Sequence, residues 1–358
     1  MTMDHLKECL MLIRSPGIGP VKYFDAVRYF GSEKDALKAL SQKGQVLAPI
    51  KKIEEEIKLH EKIGARILLY KDPEYPEALK QINDFPPVLS VMGQTNILNQ
   101  SCAAIVGARA ASINGKSFAQ KLASELGHIG YVVVSGLARG IDGAAHTGAL
   151  ESGTIAVVAG GVDVLYPPEH HKLRSQIIEH GAVISEMPLT LFPGAKHFPR
   201  RNRLIAGMSK AVCVVEAGKP SGSMITAGYA LDLGRDLFAV PGFPGDPKSA
   251  GSNQLLKNGA YVLEGVEDIL NVCGRGGWCP SSSSSSESHV LKSAEKSEYE
   301  LSGLEEKILT QLSPQPIPRE DLAIALSAAP ESLNAVLLEL ELSGKIYCDQ
   351  AGQVSLRV

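Results

Sequence analysis

Four short segments carry residue types that together would hold an anion. They read Ile105-Val106-Gly107-Ala108-Arg109, then Val134-Ser135-Gly136-Leu137-Ala138-Arg139-Gly140-Ile141-Asp142, then Val158-Ala159-Gly160-Gly161-Val162-Asp163, and last Val215-Glu216-Ala217 running into Ser221-Gly222-Ser223 and Thr226. Each begins as an apolar run of strand character and ends in glycine or hydroxyl residues. Glycine lets backbone N–H groups approach a phosphate with no Cβ in the way. A helix that follows offers unpaired N–H groups and a positive dipole end. Arg109 and Arg139 add guanidinium forks suited to phosphate oxygens, and Ser221, Ser223 and Thr226 add hydroxyls. One such turn is an ordinary capped strand–helix connection. Four of them, at the carboxyl edge of one sheet where open parallel sheets bind ligands, favour an anion site.

A fifth segment names the kind of anion. Lys196, Arg200, Arg201, Arg203 and Lys210 crowd into one stretch, and no Asp or Glu falls between Met187 and Val215. Phe198 lies among these cations. Phosphates pair with Lys and Arg while unstacked bases lie on aromatic faces, so the combination suits a single nucleic-acid strand. Asn202, between two arginines, either bonds a base or caps a helix. Other chemistries fit less well. Gly107 to Ser112 lacks the GxGxxG spacing of dinucleotide sites, and no GxxxxGK[ST] phosphate loop occurs. Asp142 and His146 stand four apart as on a helix face, where a capping Asp and a packed His are the plainer reading than a catalytic pair. Among the six cysteines no pair has CxxC spacing, so no metal ligand set is expected, and no cofactor.

These segments need a scaffold. Apolar runs at Ala103–Gly107, Tyr131–Ser135, Thr154–Ala159, Ala182–Ser185, Ala211–Glu216 and Asp236–Val240 alternate with amphipathic stretches, which predicts a doubly wound, mostly parallel α/β sheet over residues 66–272. Residues 1–65 read as helices, with a Pro16-Gly17-Ile18-Gly19-Pro20 turn of helix-hairpin-helix or sterile-alpha-motif (SAM) type. Residues 273–302, with an unbroken serine run from Ser281 to Ser286, read as a flexible linker. Residues 303–358 read as three helices (near Leu304–Leu312, Arg319–Leu326 and Glu331–Leu342) and a hairpin, the pattern of a winged helix. From Glu300 to Val358 nine acidic residues face four basic ones, and Glu331–Leu342 holds no Lys or Arg. A helix that reads the major groove is lined with Arg, Lys, Asn or Gln, so duplex reading by this unit is not expected.

With 358 residues, 36 Lys and Arg against 39 Asp and Glu, and a formal charge of −3, a generally basic coat is excluded and any nucleic-acid site must be local. The N-terminal residues lack the apolar region of a signal peptide, and no apolar run reaches the roughly 18 residues of a membrane helix. A cytoplasmic protein with no membrane contact is expected.

The ordered set of strings resembles the DNA-processing protein A (DprA, or Smf) family. It includes Tyr75-Pro76, Ile105 to Arg109, Val134 to Asp142, Phe198-Pro199-Arg200-Arg201-Asn202-Arg203-Leu204-Ile205-Ala206-Gly207, Ser221 to Ala227 and Val240-Pro241-Gly242. The resemblance covers nearly the whole chain and is strongest from Tyr75 to Leu270. It implies an extended Rossmann-like fold whose phosphate pocket takes DNA. It further implies a homodimer that protects single-stranded DNA in natural transformation and DNA recombination, and that loads the RecA recombinase, with no enzymatic activity. On this chain the DNA-binding positions are expected at Gly107, Arg109, Ser135, Gly136, Ala138, Arg139, Gly140, Gly160, Gly161, Lys196, Phe198, Arg200, Asn202, Arg203, Ser221, Gly222, Ser223 and Thr226. Ala108 and Ser112 depart from the usual Ser and Thr of the first turn, and His170 or His171 from the usual Asn after Tyr166-Pro167. The rival is a nucleotide-binding or nucleoside-monophosphate-hydrolysing enzyme of the lysine-decarboxylase-like group. Its motif puts a Glu where Thr226 stands, and threonine is no carboxylate base at neutral pH; Glu216 is the substitute to consider.

Overall fold

The computed structural model describes residues 2–277, 301–349 and 352–357. The serine run and Cys279 lie outside the described residues. Four helices open the chain: α1 (Met3–Arg14), α2 (Pro20–Phe30), α3 (Glu33–Gln42) and α4 (Ile50–Lys62). Thr2 and Ser32 cap α1 and α3 by accepting backbone N–H groups, and Pro20 starts α2 at a position where its missing N–H costs nothing. Leu12, Tyr23, Ala36 and Leu37 bury the inner faces of α1 to α3.

The central body is a nine-stranded sheet. Its strands are β1 (Arg66–Leu69), β2 (Val88–Gly93), β3 (Cys102–Gly107), β4 (Val132–Ser135), β5 (Thr154–Val157), β6 (Ala182–Ser185), β7 (Ala211–Val215), β8 (Asp236–Ala239) and β9 (Tyr261–Val262). Interleaved helices are α5 (Ile113–His128), α6 (Ile141–Gly148), α7 (His171–His180), α8 (His197–Met208), α9 (Gly222–Asp232), α10 (Ala250–Lys257) and α11 (Val266–Cys273). The order across the sheet is β1-β2-β6-β5-β4-β3-β7-β8-β9. Pairing is parallel from β6 to β9, while β2 pairs antiparallel with both β1 and β6. Alternation within one strand divides the core. Cys102, Ala104 and Val106 of β3 pack with Leu204 and Ile205 of α8 and Ala227 and Ala230 of α9. Ala103 and Ile105 pack on the other face with Leu122 of α5 and Ala145 of α6.

The six strands expected from the apolar runs are all present, ending within two residues of the expected places. The sequence reading did not anticipate β1, β2 or the two-residue β9. The last unit has α12 (Leu301–Gln311), β10 (Ile317–Pro318), α13 (Arg319–Leu326), α14 (Pro330–Leu342), β11 (Ile346–Cys348) and β12 (Gln353–Leu356), with strands in the antiparallel order β10-β12-β11. Ile308, Leu322, Leu337 and Val354 centre its core. It rests on the central body through Lys116 Nζ, which donates to Gln311 Oε1 at 2.6 Å, and Lys248 Nζ, which donates to the Leu312 carbonyl at 2.8 Å.

Candidate functional site

The sheet reverses its direction of winding between β3 and β7. β3 leads to α5 on one face and β7 to α9 on the other, so their adjacent ends leave a crevice, the usual ligand position in such sheets. Gly107 ends β3 so close to β7 that an added Cβ would stand 1.9 Å from the Val215 carbonyl oxygen. Only glycine lets the two strands finish at this separation. The resulting cleft encloses about 620 Å³ and is lined by Gly107, Arg109, Ala138, Phe198, Arg201, Asn202 and the first turn of α9.

One wall is α8. Pro199 is tolerated as its third residue because first-turn amides have no intrahelical acceptor. Phe198 and Asn202, four apart, share one helix face and both reach the cleft. The exposed Arg109 guanidinium lies 5.0 Å from the centre of the half-buried Phe198 ring, within cation–π range. The opposite wall is α9. Its N-cap Ser221 shares a hydrogen bond with Ser223 Oγ at 2.9 Å and leaves the first-turn amides without a side-chain cap. Asn202 Nδ2 donates to the Gly222 carbonyl at 3.1 Å and ties the walls together. Thr226 is buried and donates to the same carbonyl at 3.4 Å.

Arg201 forms the floor. It is only 5% exposed, and Nη1 donates to the Val157 carbonyl at 2.7 Å, while its buried Nε has no hydrogen-bond partner. Gly136 makes room for it, since a Cβ there would sit 1.8 Å from Nη1. Burial lowers its pKa to about 10, with Asp142 opposing and Arg109 adding, so the group stays cationic at neutral pH. Sequence reasoning counted Arg201 only as one charge in a basic stretch. The glycine at 136, where a Cβ would collide with the guanidinium, was the signal for it.

Several expected positions have other work. Ser135 is fully buried and donates to the Ile105 carbonyl at 2.6 Å. The amides of Gly136 and Ala138 already donate to Asp142 Oδ2, at 3.1 and 3.3 Å, so they fix the loop and are not free donors. Burial pushes the Asp142 carboxyl up, against the opposing pull of Arg201 and these amides. Gly140, at φ 75°, brings its loop against the Ala108 carbonyl. Gly160 and Gly161 are buried beneath residues 188–193, and the Gly161 amide donates to the Leu191 carbonyl at 2.9 Å. His146 donates or accepts at Thr154 Oγ1, 2.8 Å away, and is no partner of Asp142.

The basic stretch is neutralised in part by an acid just outside it. Glu186, 6% exposed, receives Arg200 Nε at 2.9 Å and Arg203 Nη2 at 2.6 Å. Arg203 is itself buried and also meets Asp84. It is therefore an internal ion-pair member with no open side for a phosphate. Arg200 is 43% exposed, Arg139 is exposed and paired with Glu169, and Lys196 is exposed with no ion pair among the described residues. None of the three lines the cleft. Glu216 accepts the Ser112 amide at 2.8 Å at the start of α5 and its hydroxyl as well, which seats it as a helix-end anion away from the cleft.

Residues 66–274 match the family of DNA recombination-mediator protein A. Residues 4–58 match the DprA-like N-terminal HHH domain, which decides between the two readings of the first turn, and residues 292–350 match the DprA winged helix domain. Protein Smf of Escherichia coli K12 is 36% identical over 313 residues, which cover 86% of this chain and 82% of that protein. The X-ray structure of DNA processing protein A from Streptococcus pneumoniae aligns with a TM-score of 0.64 at 30% identity, over 75% of this chain and 96% of that one. The structure of DNA processing protein A from Helicobacter pylori, concerned with its single-stranded DNA binding mode, aligns with a TM-score of 0.54 at 31% identity, over 58% and 94%.

Proposed function

The chain belongs to the DNA recombination-mediator protein A family, and from that premise we propose that it binds single-stranded DNA without regard to sequence, in natural transformation and recombination. The observation that carries this reading is the cleft between Arg109–Phe198 and the uncapped start of α9. Its parts suit one nucleotide step of a single strand. The α9 amides, Ser221, Ser223 and Arg109 would take phosphate oxygens, and the Phe198 face would take a base. The buried Arg201 supplies a fixed positive floor. Lys196, Arg139 and Arg200, outside the cleft, would track the strand as it leaves. Hand-off to the RecA recombinase, a homodimer built on the central body and a cytoplasmic location complete the proposal. Among the described residues no helix is long and apolar enough to cross a membrane.

Binding without catalysis accords with the residues present. The Glu of nucleotide-hydrolysing relatives is replaced by the buried Thr226, and Glu216 is engaged at Ser112. Fluorescence anisotropy with a labelled single strand, competed by duplex of the same sequence across a salt series, tests the reading. Strand-selective binding that weakens with salt is expected. No binding at low salt, or release of free base from a nucleotide panel, would return the cleft to small nucleotides.

A further inference from the structure

Away from the cleft, three chemistry-bearing side chains converge between α1 and α3. His5 and Cys9, four apart on α1, lie one above the other on the face that meets Glu33, the first residue of α3. Cys9 and Glu33 are buried, while the His5 side chain keeps 27% of its surface. His5 Nε2 is 3.8 Å from Cys9 Sγ, and His5 Nδ1 is 3.9 Å from Glu33 Oε2. One donor atom from each residue falls within 4.8 Å of the other two.

In sequence of contact this is a thiol, an imidazole and a carboxylate, the order of a cysteine nucleophile with its base and orienting acid. The sulfur has no exposed surface, so no substrate reaches it and that use is excluded. The spacings point elsewhere. The imidazole–carboxylate gap is well beyond the 2.7–3.2 Å of a nitrogen–oxygen hydrogen bond, so the groups face each other without closing on each other. Donor atoms around a tetrahedral zinc ion, at about 2.0–2.3 Å from the metal, stand about 3.3–3.8 Å apart. The two contacts above fall on different ring nitrogens, and for one nitrogen the sulfur, nitrogen and oxygen lie within 4.8 Å of one another, so the three groups draw together by up to about 1 Å around an ion. The set is also of the right softness, with one sulfur, one nitrogen and one oxygen.

We propose that His5, Cys9 and Glu33 form a zinc(II) site that staples α1 to α3. The ion takes a thiolate, one imidazole nitrogen and one carboxylate oxygen, with water completing the tetrahedron on the open His5 side. The thiol proton leaves to solvent, and thiolate and carboxylate together balance the charge of the ion. Tyr23, whose hydroxyl donates to Glu33 Oε1 at 3.1 Å, orients the carboxylate from behind. Lys71 Nζ, 3.6 Å from the same oxygen and 5.1 Å from the centre of the Tyr70 ring, competes with the metal.

Cobalt(II) titration of the chelator-treated full chain tests this. One cobalt per chain is expected, with an intense thiolate-to-metal absorption in the near ultraviolet that zinc abolishes by displacement, and with a zinc-dependent rise in the unfolding temperature. Cys9→Ser removes the absorption. His5→Ala, at the partly exposed position that leaves the core packed, weakens cobalt binding by about tenfold or more, since even an outer-shell partner is worth that much. Lys71→Gln tightens it. No thiolate band at stoichiometric cobalt overturns the proposal, as does a band unchanged in both Cys9→Ser and His5→Ala. DNA binding enters none of these readouts, so the zinc site and the function stand or fall separately.

Discussion

Arg109 and Arg203 are the same residue type within one charged constellation, and their surroundings give them opposite roles. Arg109 is exposed, lies over an aromatic face and has no ion pair among the described residues, so its guanidinium edges remain open to phosphate. Arg203 is 3% exposed and held by Glu186 and Asp84. Arg109→Ala is therefore expected to weaken single-strand binding about tenfold, the order of one charged hydrogen bond, with little change in the unfolding midpoint. Arg203→Ala leaves the buried Glu186 short of a partner and is expected to destabilise the fold by about 3–5 kcal/mol. Anisotropy and urea unfolding on both variants separate the roles; equal binding losses with equal stability would refute them. The sequence placed both arginines near the site because charge is visible in a string of letters. It could not rank them, because Glu186 lies outside the acid-free stretch and its approach to Arg200 and Arg203 depends on how β6 meets α8.

The six strands β3 to β8 were legible because each is an apolar run closed within a few residues by Gly or Pro, a pattern that local chemistry imposes. β1 and β2 were not, since their strand character rests on antiparallel pairing with each other and with β6, far along the chain. The loop after β4 shows the same limit: its glycines were visible, but that Asp142 takes the amides of Gly136 and Ala138 was not. Two predictions belong to these elements. Gly107→Ala forces a Cβ to within 1.9 Å of the Val215 carbonyl, so the ends of β3 and β7 must part. Loss of single-strand binding is expected together with a lower unfolding midpoint, and an unchanged midpoint would contradict the packing. The second prediction concerns α6. His146 is fully buried against Thr154 of β5, and burial pushes its pKa down to about 3. The unfolded chain takes a proton on this side chain below about pH 6.5, and the folded chain does not. Stability therefore falls as pH drops from about 6.5, at about 1.4 kcal/mol per unit for one proton. Burial lowers His60 as well, which adds in the same direction. Carboxylates that folding favours as anions, such as Glu74 beside Arg66, contribute only at lower pH. Urea midpoints between pH 6.5 and 5 are expected to fall, with a shallower slope in His146→Gln; an equal slope would mean that His146 is not the group taking up the proton.

At the scale of the whole molecule, a formal charge of −3 gives a polyanion no general attraction, and the C-terminal unit is more acidic still. The winged helix was legible as a unit, whereas its resting place was not, because nothing in the sequence of either partner announces an intramolecular surface. It rests on a helix-end contact. Lys248 donates to the carbonyls of Thr310 and Leu312 at the carboxyl end of α12, where backbone acceptors are unpaired and the dipole favours a cation. Lys116 adds its bond to Gln311. Burial lowers the pKa of both lysines, with Glu216 opposing, so their charges are held in a partly desolvated seam. Side chains from both bodies line that seam, among them Phe118, Glu216, Asp246 and Ser313, and none of them lines the candidate DNA cleft. Lys248→Ala should thus release the winged helix without touching the single-strand site. Hydrogen exchange is expected to rise severalfold at Thr310 to Gln315, while single-strand affinity in the same sample stays within about twofold, the change of a substitution remote from the contacts. Unchanged exchange would mean that apolar packing around Ile113 holds the unit in place. A fall in affinity alongside faster exchange would instead join the two surfaces and make the winged helix part of the DNA path.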